Sequence, residues 1–154
     1  MVDILGVISS IISIIGAFIA VIKARKAKKY SEIYHSTDEK EQLHRIFVHL
    51  EVIQDTSYRL KTDSERGIKI THELKEYKEV RRKLNTLINL TPVSYTAIST
   101  NLQTCIQQLD TVISEDRVLT RSEMTAFRTT LNLVVNDVKQ AHEDLRQDLM
   151  QMQN

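Results

Sequence analysis

Residues 4–22 read ILGVISSIISIIGAFIAVI, a run of nineteen residues without a charge or a proline. As an α-helix the run would be about 28 Å long, at about 1.5 Å per residue. That length is close to the thickness of the hydrocarbon core of a bilayer, so we predict a membrane-spanning helix. Its predicted membrane-spanning residues include six isoleucines: Ile4, Ile8, Ile12, Ile15, Ile19 and Ile22.

Small residues recur within this run at steps of three and four, which places them on one face of a helix. They are Gly6, Ser9, Ser13, Gly16 and Ala20. Small residues four positions apart let helix backbones approach closely inside a membrane. The pattern favours self-association into a homo-oligomer. It also fits a helix that merely tolerates small residues, or one whose small face packs on the protein's own bundle.

The charges that flank the run decide its orientation in a membrane. One acidic residue, Asp3, precedes it, and five cations follow it within seven positions: Lys23, Arg25, Lys26, Lys28 and Lys29. Because a basic flank stays in the cytoplasm, we predict a single-pass protein with its N-terminus outside and the remainder cytoplasmic. Near the surface such cations attract anionic phospholipid headgroups by about 1 kcal/mol each, so these five are the predicted headgroup contacts.

Two other uses of the apolar run are weighed against the spanning helix. A cleaved signal peptide is the least favoured, because it should begin with a basic region and end at a small-residue cleavage site. A helix that is stowed against a soluble bundle and inserts later is the other. The sequence leaves the spanning helix and the stowed helix open.

The rest of the chain predicts helices. Three glycines and one proline in 154 residues are too few turn residues for a β-rich fold. Four amphipathic stripes follow residue 35, so the predicted fold is all-α, with residues 1–35 as a transmembrane helix with a basic extension and residues 36–154 as a cytosolic antiparallel four-helix bundle. Capping boxes at Ser36/Glu39 and Thr120/Glu123 predict two helix starts. Pro92 predicts a third at its own position, and residues 146–154 are expected to fray.

The residues that carry chemistry predict no enzyme, metal site or cofactor. The five histidines form no pair four residues apart, so no two of them lie one turn apart on one helix face as a helical metal site requires. Cys105 falls on or beside an apolar stripe, which indicates packing rather than nucleophilic chemistry. Without Asp3 and the five-cation cluster, the chain carries 16 basic and 19 acidic residues, a balance that argues against nucleic-acid binding.

The segment Met1–Lys29, MVDILGVISSIISIIGAFIAVIKARKAKK, followed by a helical bundle, resembles the HeLo-type membrane-permeabilising domains. These include fungal HeLo domains, plant resistance-protein coiled-coil domains and the bundle of the mixed-lineage kinase-like pseudokinase. The resemblance implies an inserting segment at residues 4–22, an oligomer seam along its small face and headgroup contacts at residues 23–29. The chain departs from the pattern because its first helix is apolar on nearly all faces, which favours a constitutive membrane resident.

The functional expectation is a membrane-inserted oligomeric effector that forms a pore or permeabilises the membrane, in cell death or defence. Its expected partners are the lipid bilayer, further copies of the chain and a protein that triggers it. The alternative is a single-pass anchored scaffold whose bundle binds a protein partner.

Overall fold

The computed structural model describes the backbone of residues 4–63 and 69–153 and the side chains of residues 19–63 and 69–152. The described residues form four α-helices and no strand. The helices are α1 (Ile4–Arg59), α2 (Ile70–Leu90), α3 (Thr96–Ser114) and α4 (Arg121–Gln153). The predicted all-helical class is confirmed.

The helices form a ring in which each packs against the next and α4 closes against α1. Gln54 donates a hydrogen bond to Asn132 at 2.6 Å, while His44, ten residues earlier on α1, faces His142, ten residues later on α4. Helices α1 and α4 are therefore antiparallel. Short connections join the other neighbours, and the result is a four-helix bundle of up-and-down topology.

One continuous core fills the ring, because each helix places an apolar stripe at helical spacing towards the centre. The stripe of α1 is Leu43, Ile46, Leu50 and Ile53, all fully buried. The stripes of the other helices are Leu74, Tyr77, Val80, Leu84 and Leu87, then Ile98, Leu102, Cys105, Ile106, Leu109 and Val112, then Met124, Phe127, Leu131, Val134, Val135 and Val138. The four amphipathic stripes predicted after residue 35 are confirmed, with Phe47, Tyr95, Ala141 and Leu145 partly buried at their margins.

Buried polar contacts join the two connections at one end of the bundle. The Tyr77 hydroxyl donates to the carbonyl of Lys61 at 2.8 Å and accepts from the backbone N–H of Leu119 at 3.2 Å. The N–H of Asp63 donates to the carbonyl of Leu119 at 3.2 Å. These bonds hold the α1–α2 and α3–α4 connections together and give partners to backbone groups next to the buried Tyr77.

The largest difference from the prediction is that α1 runs without a break through Ser36, where the sequence predicted a new helix. Thr37 donates its hydroxyl to the Ile33 carbonyl at 2.7 Å, and Glu39 lies 3.9 Å from His35. Both are contacts within a helix, one turn apart, and not caps. The predicted start at Ser36 is wrong, because no glycine or proline interrupts this part of the chain and its polar residues fit an exposed helix face.

Two smaller corrections concern the ends of α3 and α4. Helix α3 starts at Thr96 and not at Pro92, whose carbonyl instead accepts from the Tyr95 N–H at 3.0 Å in a turn. Residues 146–153 continue α4 in place of fraying. They remain helical because Leu149, 8 % exposed, is buried at the end of the bundle.

Candidate functional site

Helix α1 extends well beyond the bundle at its N-terminal side. Pairs across the α1–α4 seam, such as Gln54 with Asn132 and His44 with His142, place the end of α4 level with about residue 33 of α1. Burial agrees, since Ile33 is the first described residue that is partly covered, and every residue from 19 to 32 is exposed. The exposed part includes apolar side chains, with Ile19 47 %, Val21 49 % and Ile22 41 % exposed.

The cations that follow the apolar run project from this extension into solvent. All five are exposed, and among the described residues one of them makes a side-chain ion pair, Lys28 with Glu32 at 3.9 Å. Tyr30 and Tyr34, 71 % and 78 % exposed, lie one turn apart just after them. The bundle therefore covers neither the basic residues nor these tyrosines.

The predicted lipid-facing and association residues fall mostly outside the side chains that the structure describes. Ile19 and Ile22 of the first set and Ala20 of the second are exposed on α1. The others, namely Ile4, Ile8, Ile12, Ile15, Gly6, Ser9, Ser13 and Gly16, lie outside the described side chains. Among the residues whose side chains the structure describes, no helical segment has both the length and the apolar character required to cross a bilayer.

The outer seam between α1 and α4 carries a ladder of polar and aromatic pairs that sequence reasoning missed. Arg128 lies 5.2 Å from the centre of the Tyr58 ring and donates to the carbonyl of Ser57 at 2.8 Å. Further along, Lys139 lies 5.3 Å from the centre of the Phe47 ring. The paired residues are about 70 to 100 positions apart in the sequence. They meet only because α1 and α4 pack side by side in this register.

At the end of this ladder nearest the α1 extension lies an open groove of about 650 Å³. Its lining residues are His44, Phe47, Asn136, Lys139, Gln140, His142 and Glu143. The two histidine rings are tilted by 40°, with their centroids 6.0 Å apart. Partial burial lowers the pKa of His142, and the positive charges of Lys40, His44 and Arg146 lower it further, against a smaller opposite effect of Glu143.

A second groove, of about 410 Å³, lies on the opposite flank of α4, against the start of α3. Asp137, Asp144 and Asp148 line it beside Tyr95. Burial raises the pKa of the Tyr95 phenol, and the carboxylates of Glu39, Asp144 and Asp148 add to the rise. The two flanks of α4 therefore differ in charge, with cations towards α1 and carboxylates towards α3.

The single cysteine of the chain, Cys105, is placed for packing. Cys105 is fully buried in the core, and burial raises the pKa of its thiol to about 12. A thiol with so high a pKa is a poor nucleophile at neutral pH. Within the described parts of the chain, no three histidine, cysteine or carboxylate side chains are grouped so as to hold a metal ion.

Comparison with known protein families, with curated proteins and with solved structures found no match to this chain. The resemblance to the HeLo-type domains therefore stays a prediction from the sequence.

Proposed function

We propose that this protein is a membrane-inserted effector that enters the bilayer through the N-terminal part of α1 and assembles there into permeabilising oligomers. The observation that carries the proposal is the exposed extension of α1. The bundle leaves residues 19–32 uncovered, although this stretch begins with apolar side chains and continues with five cations. An uncovered apolar segment followed by exposed cations matches the layers of a membrane, because the apolar part suits the hydrocarbon core and the cations suit the anionic headgroups beside it.

The structure supports an extended membrane segment over a stowed one for the described part of that segment. A stowed helix would bury Ile19, Val21 and Ile22 against the bundle, yet each is more than 40 % exposed. Each large apolar side chain gains about 1.5–3 kcal/mol when it leaves water. Transfer into lipid would supply that gain, and the basic residues would add their attraction to anionic headgroups.

Assembly would run through α1, since the buried apolar stripes that the structure describes are used in the core of the bundle itself. The stripes of α1 to α4 all converge on one closed core. The small face of residues 6–20 is the remaining association surface that the sequence offers, because small residues permit close packing of helices in lipid. The bundles would remain on the cytoplasmic side as folded bodies around the assembled helices.

The test is release of a trapped dye from vesicles of phosphatidylcholine and phosphatidylserine by the full-length chain. Ser13→Ile and Gly16→Ile should abolish release and cross-linked oligomers while the protein still co-sediments with vesicles, because the bulky side chains separate the helices. Ile15→Leu, off the small face, is the matched control and should behave as the original chain. Bulky variants that still release dye and cross-link would show that the small face is not the seam.

A second arm tests the headgroup contact. Replacing all five cations of residues 23–29 by glutamine should weaken binding to anionic vesicles, by about 1 kcal/mol for each charge removed, and should have little effect on zwitterionic vesicles. Equal losses on both kinds of vesicle would remove the headgroup role from the proposal.

The alternative function is that of a single-pass anchored scaffold, and the self-contained bundle favours it. Among the residues that the structure describes, every core residue lies at or beyond Leu43, so a chain without residues 1–29 retains that core. A scaffold predicts that this shortened chain folds, stays in solution and binds a protein partner, and that the full-length chain binds vesicles without releasing dye. Dye release by the full-length chain would exclude the pure scaffold.

A further inference from the structure

The groove on the α1–α4 seam concentrates hydrogen-bond donors and positive charge. Lys139 is placed at one side by its contact with the Phe47 ring, with its ammonium 5.3 Å from the ring centre. His44 and His142 form another side, and Asn136 also lines the cavity. Three kinds of donor from two helices therefore converge on one open cavity of about 650 Å³.

The charges around the groove leave it positive. Lys40 on α1 and Arg146 on α4 both act on His142, and Lys139 lines the cavity. Glu143 is the one carboxylate in the lining, and Arg146 donates to it at 3.3 Å, which offsets its charge. With both histidines neutral the neighbourhood carries a surplus of cations, and protonation of the rings would add two more charges.

We infer that this groove binds a tetrahedral oxyanion of the phosphate or sulfate class, held by Lys139 and by the rings of His44 and His142. A ring N–H donates over about 2.9 Å, so rings whose centroids are 6.0 Å apart are close enough for a single oxyanion to accept from both. Its negative charge also relieves the repulsion among Lys40, Lys139 and the histidines. The bound anion would bridge α1 and α4 close to the point where α1 leaves the bundle.

The source of the anion is the solution rather than a lipid headgroup. His44 lies 22 residues beyond Ile22 along the same helix, which is about 33 Å at about 1.5 Å per residue. If Ile22 marks the edge of the hydrocarbon core, the groove lies below the headgroup layer. This step rests on the proposed membrane function, whereas the anion site itself rests only on the bundle.

The proposal is tested by NMR on the full-length chain with carbon-13-labelled histidine, in zwitterionic nanodiscs, during a titration with sulfate. Sulfate remains a dianion near neutral pH, so any pH dependence reports the protein. The signals of His44 and His142 should shift together and saturate, while those of His35, His49 and His72 stay in place. Uniform drift of all five signals, or no saturation, would overturn the site.

Protonation of the groove gives the site a pH signature. The affinity for sulfate should be about tenfold higher at about pH 5 than at about pH 8. Partial burial and the neighbouring cations lower the pKa of His142, so its ring gains charge only on the acid side of the ordinary histidine range. The groups that face the rings are Lys40 on α1 and Lys139, Glu143 and Arg146 on α4, and of these only Glu143 opposes an anion. An affinity that does not change with pH would remove the histidines from the site.

Two substitutions of opposite effect keep the test specific. Lys139→Met should weaken sulfate binding about tenfold, the size of one charge-assisted hydrogen bond. Glu143→Gln should tighten it, since it removes the opposing carboxylate. Lys78→Met, at an exposed position on α2, is the matched control and should bind as the original chain. Unchanged binding in Lys139→Met, or weaker binding in Glu143→Gln, would contradict the proposal.

A final arm separates the two sources of the anion. Nanodiscs that contain phosphatidic acid, without sulfate, should leave the His44 and His142 signals unchanged if the ligand comes from solution. Shifts of both signals in these discs would make the headgroup the ligand and overturn the assignment to a soluble anion. Incorporation of the chain into the nanodiscs is measured separately, so failure of membrane insertion is distinguishable from failure of the anion site.

Discussion

The hydroxyl of Tyr77 receives a hydrogen bond from the backbone N–H of Leu119, 42 residues further along the chain, at 3.2 Å. The same hydroxyl donates to the Lys61 carbonyl at 2.8 Å. One oxygen atom thus joins α2 to the α1–α2 connection and to the α3–α4 connection at the same end of the bundle. Its position explains why a tyrosine, and not a phenylalanine, occupies a core position that is fully buried.

Removing that hydroxyl should destabilise the bundle. Tyr77→Phe leaves the N–H of Leu119 without this partner in a buried site, and such a loss costs about 1–3 kcal/mol. Urea denaturation of the full-length chain in detergent, followed by circular dichroism, measures the change. Tyr30→Phe, at an exposed position, is the control and should change the free energy of unfolding by less than about 0.5 kcal/mol. Equal stabilities of the two variants would show that the Tyr77 hydroxyl does not stabilise the fold.

The two capping-box sequences should respond differently to alanine. At the start of α4, the Glu123 N–H donates to the Thr120 hydroxyl at 3.2 Å and the Thr120 N–H donates to Glu123 at 2.8 Å. Thr120→Ala should therefore cost about 1 kcal/mol. Ser36 lies inside α1, so Ser36→Ala should be neutral or slightly stabilising, because alanine favours helix interiors. The same denaturation experiment compares them, and a cost at Ser36 similar to that at Thr120 would contradict the continuous α1.

Acid should weaken the start of α4. Hydrogen bonds from Arg117 and from Thr120 lower the pKa of Glu123 to about 2, well below its ordinary value of 4.5. A carboxylate whose pKa is lower in the folded state stabilises the fold above its unfolded pKa, and that contribution is lost as the pH falls from about 4.5 towards about 2. Glu123 is partly exposed to solvent, so the contribution is screened.

Glu123→Gln isolates this effect. The free energy of unfolding of the variant should fall less steeply with acidification between these two pH values than that of the original chain. Glu76→Gln, on the surface of α2, serves as the control, and its pH dependence should match the original. Parallel curves for Glu123→Gln and the original chain would show that the Arg117 contact does not act through this carboxylate.

Cys105 should react slowly with thiol reagents while the protein is folded. Its pKa of about 12 and its full burial leave almost no accessible thiolate at neutral pH. Modification by a maleimide or an aromatic disulfide should be at least about a hundredfold slower than in concentrated urea. Comparable rates in the folded and unfolded protein would contradict the core position of the side chain.

Periodicity predicted most of the bundle, because apolar residues at steps of three and four can bury together on only one face of a helix. Leu43, Leu84 and Phe127 lie on the stripes of three different helices, and all three are fully buried. Periodicity left Cys105 on or beside a stripe, and both Cys105 and its neighbour Ile106 are buried, since α3 packs against α2 and α4 and turns a wide face inward.

Local signals were less reliable where tertiary structure decides. Ser36 with Glu39 has the same spacing as Thr120 with Glu123. Only the second pair follows a non-helical connection and caps a helix. Pro92 begins a turn rather than a helix. The groove around His44 and His142 was not predicted, because the two residues lie 98 positions apart and meet only through the register of α1 on α4.

The uninterrupted course of α1 from Ile4 to Arg59 has a mechanical consequence. One helix packs in the core and also continues on the N-terminal side of Ile33 for about 43 Å, at about 1.5 Å per residue. A rigid-body rotation of the bundle by about 10° would swing the far tip by about 7 Å, an amplification that a jointed connection would absorb. Inserting a glycine pair at residue 32 would create such a joint and uncouple the two ends while leaving each intact.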